Sequence, residues 1–244
     1  MISVAVLGAA GRMGSTVAAA IDAAPDLEVV TKLDDGDALD FAGATVAVDF
    51  TVPSASEANV HALIDAGVHA VVGTSGWTGE ALDRVREHLT KAPGVGVLIA
   101  PNFALSAVLS MRFAALAAPY FESVEIVELH HPDKVDAPSG TAVHTAKGVA
   151  AARAAAGVGQ SPDATTHDPE GARGAVIDGV HVHAVRLRGL VAHEEVLLGN
   201  PGEQLTIRTD SFDRSSFMPG VLLGIREIAS HPGLTVGLDG FLTL

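Results

Sequence analysis

A chain of 244 residues with 29 acidic and 15 basic side chains carries a formal charge of −14, which argues against a broad grip on nucleic acid or on an anionic membrane. It contains no cysteine, so a disulfide framework, a thiolate metal site, an iron–sulfur cluster and a cysteine nucleophile are excluded. Hydrophobic residues make up 48% but only 8 Phe, 1 Trp and 1 Tyr are aromatic, so the expected core is Val, Ala, Leu and Ile, in one large domain or two small ones.

The chain opens on Ile2–Leu7, a buried-strand pattern with no basic segment before it, and the apolar run stops at Gly8. No targeting signal is expected there, and no run of about 18 uninterrupted apolar residues predicts a bilayer span, so a soluble cytoplasmic protein is expected. A helix is expected over Met13–Ala24, strands over Leu27–Leu33 and Ala44–Phe50, and a helix ending near Ala66 that Ser54 and Glu57 open as a capping box. Val68–Val72 and Val95–Ile99 read as further strands around an amphipathic helix over Gly79–Lys91. Strands that are continuous apolar runs, alternating with helices, predict a parallel sheet covered on both faces.

The pattern changes after Pro101. A helix over Ala104–Ala118, a strand over Val124–Leu129 and a helix over Ser139–Ala156 are followed by a polar, Gly- and Pro-rich loop over 157–174. Three β-runs, His181–Arg188, His193–Leu198 and Gln204–Thr209, then come without helices between them and predict an antiparallel or mixed sheet. A helix over Phe217–Ala229 and a strand over Thr235–Leu238 return to the first domain. The expected fold class is α/β, a parallel-sheet domain plus a central α+β domain with a mixed or antiparallel sheet.

Two segments carry chemistry. Gly8, Ala9, Ala10, Gly11, Arg12, Met13 and Gly14 form G-x-x-G-x-x-G between the first strand and its helix. The first glycine permits a tight turn, the second lets a pyrophosphate approach the backbone, and the third lets helix pack on strand. The helix N-terminus adds free N–H groups and partial positive charge. Asp34 ends the second strand, where it is placed to accept hydrogen bonds from adenosine ribose; the alternative is a solvated acidic loop of Asp34, Asp35, Asp37 and Asp40. Gly73, Thr74 and Ser75, and Ala100, Pro101, Asn102 and Phe103, follow later strands at the carboxyl edge where open α/β sheets bind ligands, though ordinary turns use the same residues.

The second segment, Glu128 to Ala142, is the densest polar stretch in the chain. His130, His131 and Lys134 precede a helix start at Pro138–Ser139, and Gly140 and Thr141 then offer first-turn N–H groups. A histidine, a lysine and a helix N-terminus suit a small carboxylate substrate that must receive a proton. The rival readings are a metal held by His130, Asp133 and His144, which Lys134 would oppose, and a solvated loop. His181, His183 and His193 on the β-runs are read as structural or surface residues rather than ligands.

The glycine loop together with H-H-x-x-K-x-D-A-P-S-G-T-A, Gly73 to Ser75, Ala100 to Phe103 and Arg186 to Glu195 resembles the 4-hydroxy-tetrahydrodipicolinate reductases, long called dihydrodipicolinate reductases, in their actinobacterial form. The likeness runs along essentially the whole chain. It implies a Rossmann-like dinucleotide-binding domain over 1–104 and 214–244, and a central α+β substrate-binding domain over 105–213 that forms a homotetramer. It further implies NADH or NADPH as cofactor, a small dicarboxylate substrate on the diaminopimelate route to lysine, and no nucleic-acid, membrane or metal partner. Carried onto matching positions, Gly8 to Met13, Asp34, Gly73 to Ser75 and Ala100 to Phe103 hold the nucleotide. His130 and Lys134 are the proton donors, and His131, Gly140 and Thr141 bind substrate carboxylate. One position departs from some family members, which carry an arginine after the acid equivalent to Asp34 to meet the 2′-phosphate of NADPH. Here it is Asp35, with Lys32 and Arg12 the nearby cations, so NADH is expected to serve at least as well as NADPH. Two other functions remain in view: an aspartate-semialdehyde-type dehydrogenase, whose nucleophilic cysteine is missing, and a non-catalytic dinucleotide sensor.

Overall fold

The computed structural model describes residues 1–242. In chain order the elements are β1 (Ile2–Leu7), α1 (Arg12–Asp22), β2 (Leu27–Leu33), β3 (Val46–Asp49), α2 (Pro53–Asp65), β4 (His69–Val72), α3 (Gly79–Leu89) and β5 (Gly96–Ile99). There follow α4 (Leu105–Ala117), β6 (Ser123–His130), α5 (Gly140–Ala155), β7 (Ala175–Ile177), β8 (Val180–Arg186), β9 (Ala192–Asn200) and β10 (Glu203–Ser211). The chain closes with α6 (Met218–Glu227) and β11 (Gly233–Val236). It divides into two compact units, Met1–Ala104 with the chain from Arg214 onward, and Leu105–Asp213.

The first unit is built on a six-stranded sheet in the order β11-β5-β4-β3-β1-β2, every pair of which is parallel. β3 and β5 are buried along their whole length, as are the last four residues of β1, which is why Val, Ala, Leu and Ile dominate them. The order reverses beside β1, where the chain runs outward to β2 and then returns to β3 on the other side. That reversal opens a crevice at the carboxyl edge. The last strand pairs with β5, and Arg226 of α6 clasps Asp26 through two N–H bonds of 2.7 and 2.9 Å.

The expected capping box does not form. Helix α2 starts at Pro53, with Val52 as its cap residue and no side-chain cap bond. The proline ring presets the first helical φ and lacks the N–H that a cap would satisfy, so the helix begins ahead of Ser54. Glu57 instead pairs with Arg84 of α3 at 2.6 and 3.0 Å.

The second unit holds a five-stranded mixed sheet in the order β10-β9-β6-β8-β7. Val124, Ile126, Val182, Val196 and Leu198 pack with Ala142, Ala146 and Val149 of α5 and Ala114 of α4 as its core. Buried Arg153 of α5 donates to the carbonyls of Ala118, Phe121, Glu122 and Gly159 at 2.6–3.2 Å, tying the end of α5 to the turn before β6. Consecutive strands β8 and β9 are not neighbours. β6 lies between them, parallel to β8 and antiparallel to β9, so the chain over 187–191 crosses the end of β6. β7 has no counterpart among the sequence expectations, because three residues between glycine-rich turns carry no readable period.

Candidate active site

The glycine loop is shaped by close backbone approach at two of its glycines. Gly8 has φ of +76°, and a Cβ there would lie 2.6 Å from the Phe50 carbonyl oxygen at the end of β3. A Cβ on Gly14 would lie 2.0 Å from the Gly8 carbonyl oxygen, so the third glycine admits the first turn of α1 against the loop itself. Gly11 caps α1 with its own N–H on the Gly8 carbonyl at 3.0 Å, and Arg12 begins the helix with its side chain exposed.

A cavity of about 650 Å³ lies at the β1/β3 crevice, lined by Gly8, Gly11, Asp34, Asp35, Phe50 and Asn59 among others. The Asp34 carboxylate accepts from Ala10 N–H at 2.9 and 3.1 Å, so it braces the glycine loop. Asp35 and Asp37 border the same cavity. Its size, glycine-lined floor and helix N-terminus fit a dinucleotide.

Gly73, Thr74 and Ser75 and Ala100 to Phe103 do not line that cavity, but they meet its wall through Phe50. A Cβ on Gly73 would strike the Phe50 ring at 2.0 Å, and the rings of Phe50 and Phe103 lie 5.8 Å apart. Asn102 turns its side-chain oxygen onto Ala104 N–H at 2.8 Å. Asp49, fully buried, is the residue the sequence did not single out. Its carboxylate accepts from Thr51 N–H (3.0 Å), the Thr51 hydroxyl (2.8 Å), the Thr74 hydroxyl (2.7 Å) and Asn59 (3.0 Å). One buried anion thereby holds together the loops after β3 and β4.

In the second unit, strand β6 ends at His130, and Glu128 two residues earlier faces the same side. Glu128 is fully buried and all its acceptor directions are used. Oε2 takes His130 Nδ1–H at 2.5 Å and Arg186 Nη1–H at 2.7 Å, while Oε1 takes Arg186 Nη2–H at 2.8 Å and Ser139 N–H at 3.0 Å. Burial pushes the Glu128 carboxyl up, but the Arg186 and His130 bonds and charges outweigh it and hold the group below the usual carboxylate range. Burial also pushes the His130 imidazole down, against the raising effect of Glu128 and with help from the Lys134 and Arg186 charges. The pair therefore rests as carboxylate and neutral imidazole, with the tautomer fixed as Nδ1–H.

Lys134 lies in the loop between β6 and α5 and pairs with Asp136 at 2.8 Å. The Asp136 carboxyl is held low first by that Lys134 bond and, further down, by the N–H groups of its own residue and of Gly140. Arg186 reaches over to the Asp136 carbonyl at 2.7 Å, so the loop and the His130 support share one guanidinium. Ser139 caps α5 through Ala142 N–H at 3.1 Å, which leaves Gly140 and Thr141 as the first turn. The chain thus places a carboxylate of its own against Lys134 and the start of α5. His131 is exposed on the loop, beyond the strand end. Among the described residues no group of three or more His, Asp or Glu side chains is arranged to hold a metal, so His130, Asp133 and His144 do not converge. Nor is any described helix long and apolar enough to cross a membrane.

Comparisons with known proteins match both halves of the chain. The family described as Dihydrodipicolinate reductase, N-terminus, covers residues 2–103, and Dihydrodipicolinate reductase, C-terminus, covers residues 106–242. The 4-hydroxy-tetrahydrodipicolinate reductase of Beutenbergia cavernae is 69% identical over 245 residues, covering 100% of this chain and 99% of that protein. That of Nocardia farcinica is 61% identical over 246 residues, with the same coverage. Among solved structures, the dipicolinate-bound dihydrodipicolinate reductase from Paenisporosarcina sp. TG-14 superposes with a TM-score of 0.88 at 35% identity, covering 99% of this chain and 100% of that one. With two family halves in sequence and relatives of this identity along its full length, the chain belongs to the dihydrodipicolinate reductase family.

Proposed function

We propose that this chain catalyses the NAD(P)H-dependent reduction of 4-hydroxy-tetrahydrodipicolinate to tetrahydrodipicolinate, the diaminopimelate-pathway step for which its relatives are named, with His130 as the principal proton donor and Lys134 as the second. The observation that carries the assignment of roles is the Glu128–His130 pair: a buried anion bonded to Nδ1–H fixes the imidazole so that Nε2 exchanges the proton. Water made from the C4 hydroxyl and a C3 proton is lost first, leaving a conjugated imine, and the nicotinamide dinucleotide, when bound, would supply the hydride to C4 of that ring. The ring then needs a proton on its electron-rich enamine carbon, and an imidazole near neutral pH suits that transfer.

The remaining roles follow from charge. A dicarboxylate entering a chain of net charge −14 needs local cations and backbone donors. Lys134, His131 and the N–H groups of Gly140 and Thr141 supply them, a reading supported by the pairing of Lys134 with the Asp136 carboxylate. In the first unit, Gly8, Ala9, Ala10, Gly11, Arg12 and Met13 take the pyrophosphate, and Asp34 lies beside the cavity at the ribose end. Thr74, Ser75 and Ala100 to Phe103 border the nicotinamide half. Asp35 and Asp37 at that cavity disfavour a 2′-phosphate, so NADH serves at least as well as NADPH.

Along β6, Val124, Ile126 and Glu128 are buried while Val127 and Leu129 on the opposite face are only half-buried, which supports assembly of the second unit's sheet into a homotetramer. The same proposal assigns the reaction to the cytoplasm. The test is direct: the freshly formed product of dihydrodipicolinate synthase is added to the purified chain with NADH. Oxidation of NADH that depends on both is expected, and its absence would reject the function. Light scattering on the same sample reads the oligomer.

A further inference from the structure

Behind the His130 support lies a second buried acid. Glu194 of β9 is the register partner of Glu128 across the antiparallel β6–β9 pair, so the two carboxyl groups share one face of the sheet, and both are buried. They are not alike. Among the described residues, Glu128 has four donors, whereas Glu194 has one neighbour on Oε1, the Thr145 hydroxyl at 2.7 Å, and none on Oε2. The groups bonded to it or in register with it are, among the described residues, uncharged apart from Glu128. Its register partner on β10 is Thr209, whose hydroxyl is occupied with Ser106 of α4. On α5 the facing residue is Thr145, with His144 and Lys147 exposed to solvent, and the only charged residue of α4 is Arg112, half-buried. Arg186, the cation of this region, is spent on Glu128 and the loop before α5.

The Thr145 hydroxyl also reaches the Thr141 carbonyl oxygen, at 3.0 Å. A hydroxyl has a single proton, and both a carbonyl and a carboxylate only accept. The two contacts are satisfied together when Glu194 carries a proton, donates it to Thr145, and Thr145 donates onward to Thr141. We propose that Glu194 is a positioning residue for substrate binding: as the neutral acid it feeds the chain Glu194–Thr145–Thr141 and so fixes the first turn of α5, where the dicarboxylate is held. Loss of that proton turns the Thr145 hydroxyl away from Thr141 and puts a second negative charge beside Glu128, beneath the place where an anion must bind. Burial, opposed by the Thr145 bond and aided by the Glu128 charge, pushes the Glu194 carboxyl up to about 7, which sets this change within the physiological range. The inference rests on the reading of Gly140 and Thr141 as carboxylate donors.

Two variants and two measurements test it. Glu194→Gln keeps a donor toward Thr145 that cannot ionise, and Thr145→Val cuts the chain while keeping the shape. Carbon-13 spectra of the side-chain carboxyls, with Glu194→Gln to assign the signal, follow the titration of Glu194 with no ligand present. The expected signal stays that of the acid until near-neutral pH; a midpoint in the ordinary carboxylate range overturns the proposal. Calorimetric titration with pyridine-2,6-dicarboxylate between pH 5.5 and 8.5 reads the consequence. The ratio of wild-type to Glu194→Gln dissociation constants is expected near one at the acid end, rising about five- to tenfold at the alkaline end. A ratio that does not change with pH marks a merely structural residue and overturns the proposal. Thr145→Val is expected to bind several-fold more weakly already at pH 5.5, and unchanged binding there overturns it too. Failure of the wild type to bind the dicarboxylate at any pH strikes at the substrate reading instead, and the carboxyl titration still decides the state of Glu194.

Discussion

Arg186 grips Glu128 from the neighbouring parallel strand with both terminal nitrogens, at 2.7 and 2.8 Å, and it is the register partner of His130. The arginine therefore stands beside the imidazole while neutralising the anion that orients it. A neutral amide at position 128 retains the shape but not the charge that stabilises an imidazolium. Glu128→Gln is expected to lower kcat roughly 10–10³-fold with little change in KM for the dicarboxylate, because the group is fully buried behind His130. Nitrogen-15 spectra of His130 in this variant are expected to show a mixture of tautomers. A single Nδ1–H tautomer with wild-type turnover would remove Glu128 from the mechanism.

His130 itself is expected to carry more of the rate. His130→Ala should lower kcat by roughly 10²–10⁴-fold, the usual span for a general acid. The pH profile gives the sign. Burial holds this imidazole below its ordinary value, and a donor acts in its protonated form, so kcat/KM is expected to fall as pH rises through that lowered value. Glu128 raises the imidazole, so in Glu128→Gln the falling limb should move to still lower pH. Initial rates across the acid-to-neutral range decide it, and a limb that stays in place in both variants would assign the proton to another group.

The parts of this architecture that local patterns specify were legible in the sequence; the parts made by register were not. Ile2–Leu7 and Leu27–Leu33 are apolar runs bounded by turn residues, and both strands span those residues. The glycine loop is equally local, since Gly8 and Gly14 are needed by a turn and a helix that begin within seven residues of each other. Glu128 and Arg186 are 58 residues apart in the chain, and nothing nearby in sequence announces that β8 lies parallel to β6. Asp49 escaped for the same reason, because its partner Thr74 is 25 residues on, although an aspartate closing a buried strand is a signal that can be read. The capping motif at Ser54 and Glu57 failed through the neighbouring Pro53, a stronger local constraint than the motif.

Cofactor choice should respond to charge at the crevice. Asp34, Asp35 and Asp37 border the cavity beside the end of β2, where a 2′-phosphate would bring two further negative charges. The wild type is expected to use NADH at least as efficiently as NADPH in initial-rate kinetics. Asp35→Arg should raise kcat/KM for NADPH relative to NADH by roughly tenfold or more, consistent with about 1.4 kcal/mol for each tenfold change. A strong NADPH preference in the wild type would contradict the reading of this edge.

Stability against pH separates the two buried acids, because their signs are opposite. Glu128 is held low in the folded chain, so its contribution is present above the unfolded carboxyl value and is lost as pH falls through the folded one. Glu194 is raised from 4.5 to about 7, so between those limits the folded chain holds a proton that the unfolded chain has released. The unfolded state then binds fewer protons, and Glu194 costs stability progressively as pH rises from 4.5 to 7, on the order of 3 kcal/mol in full. Glu194→Gln lacks this penalty and leaves Glu128 untouched, so the difference between variant and wild type isolates one group. Urea unfolding midpoints are expected to lie close together near pH 5, with the variant progressively more stable toward pH 8. The opposite order, with Glu194→Gln losing ground as pH rises, would mean that the folded chain favours the Glu194 carboxylate.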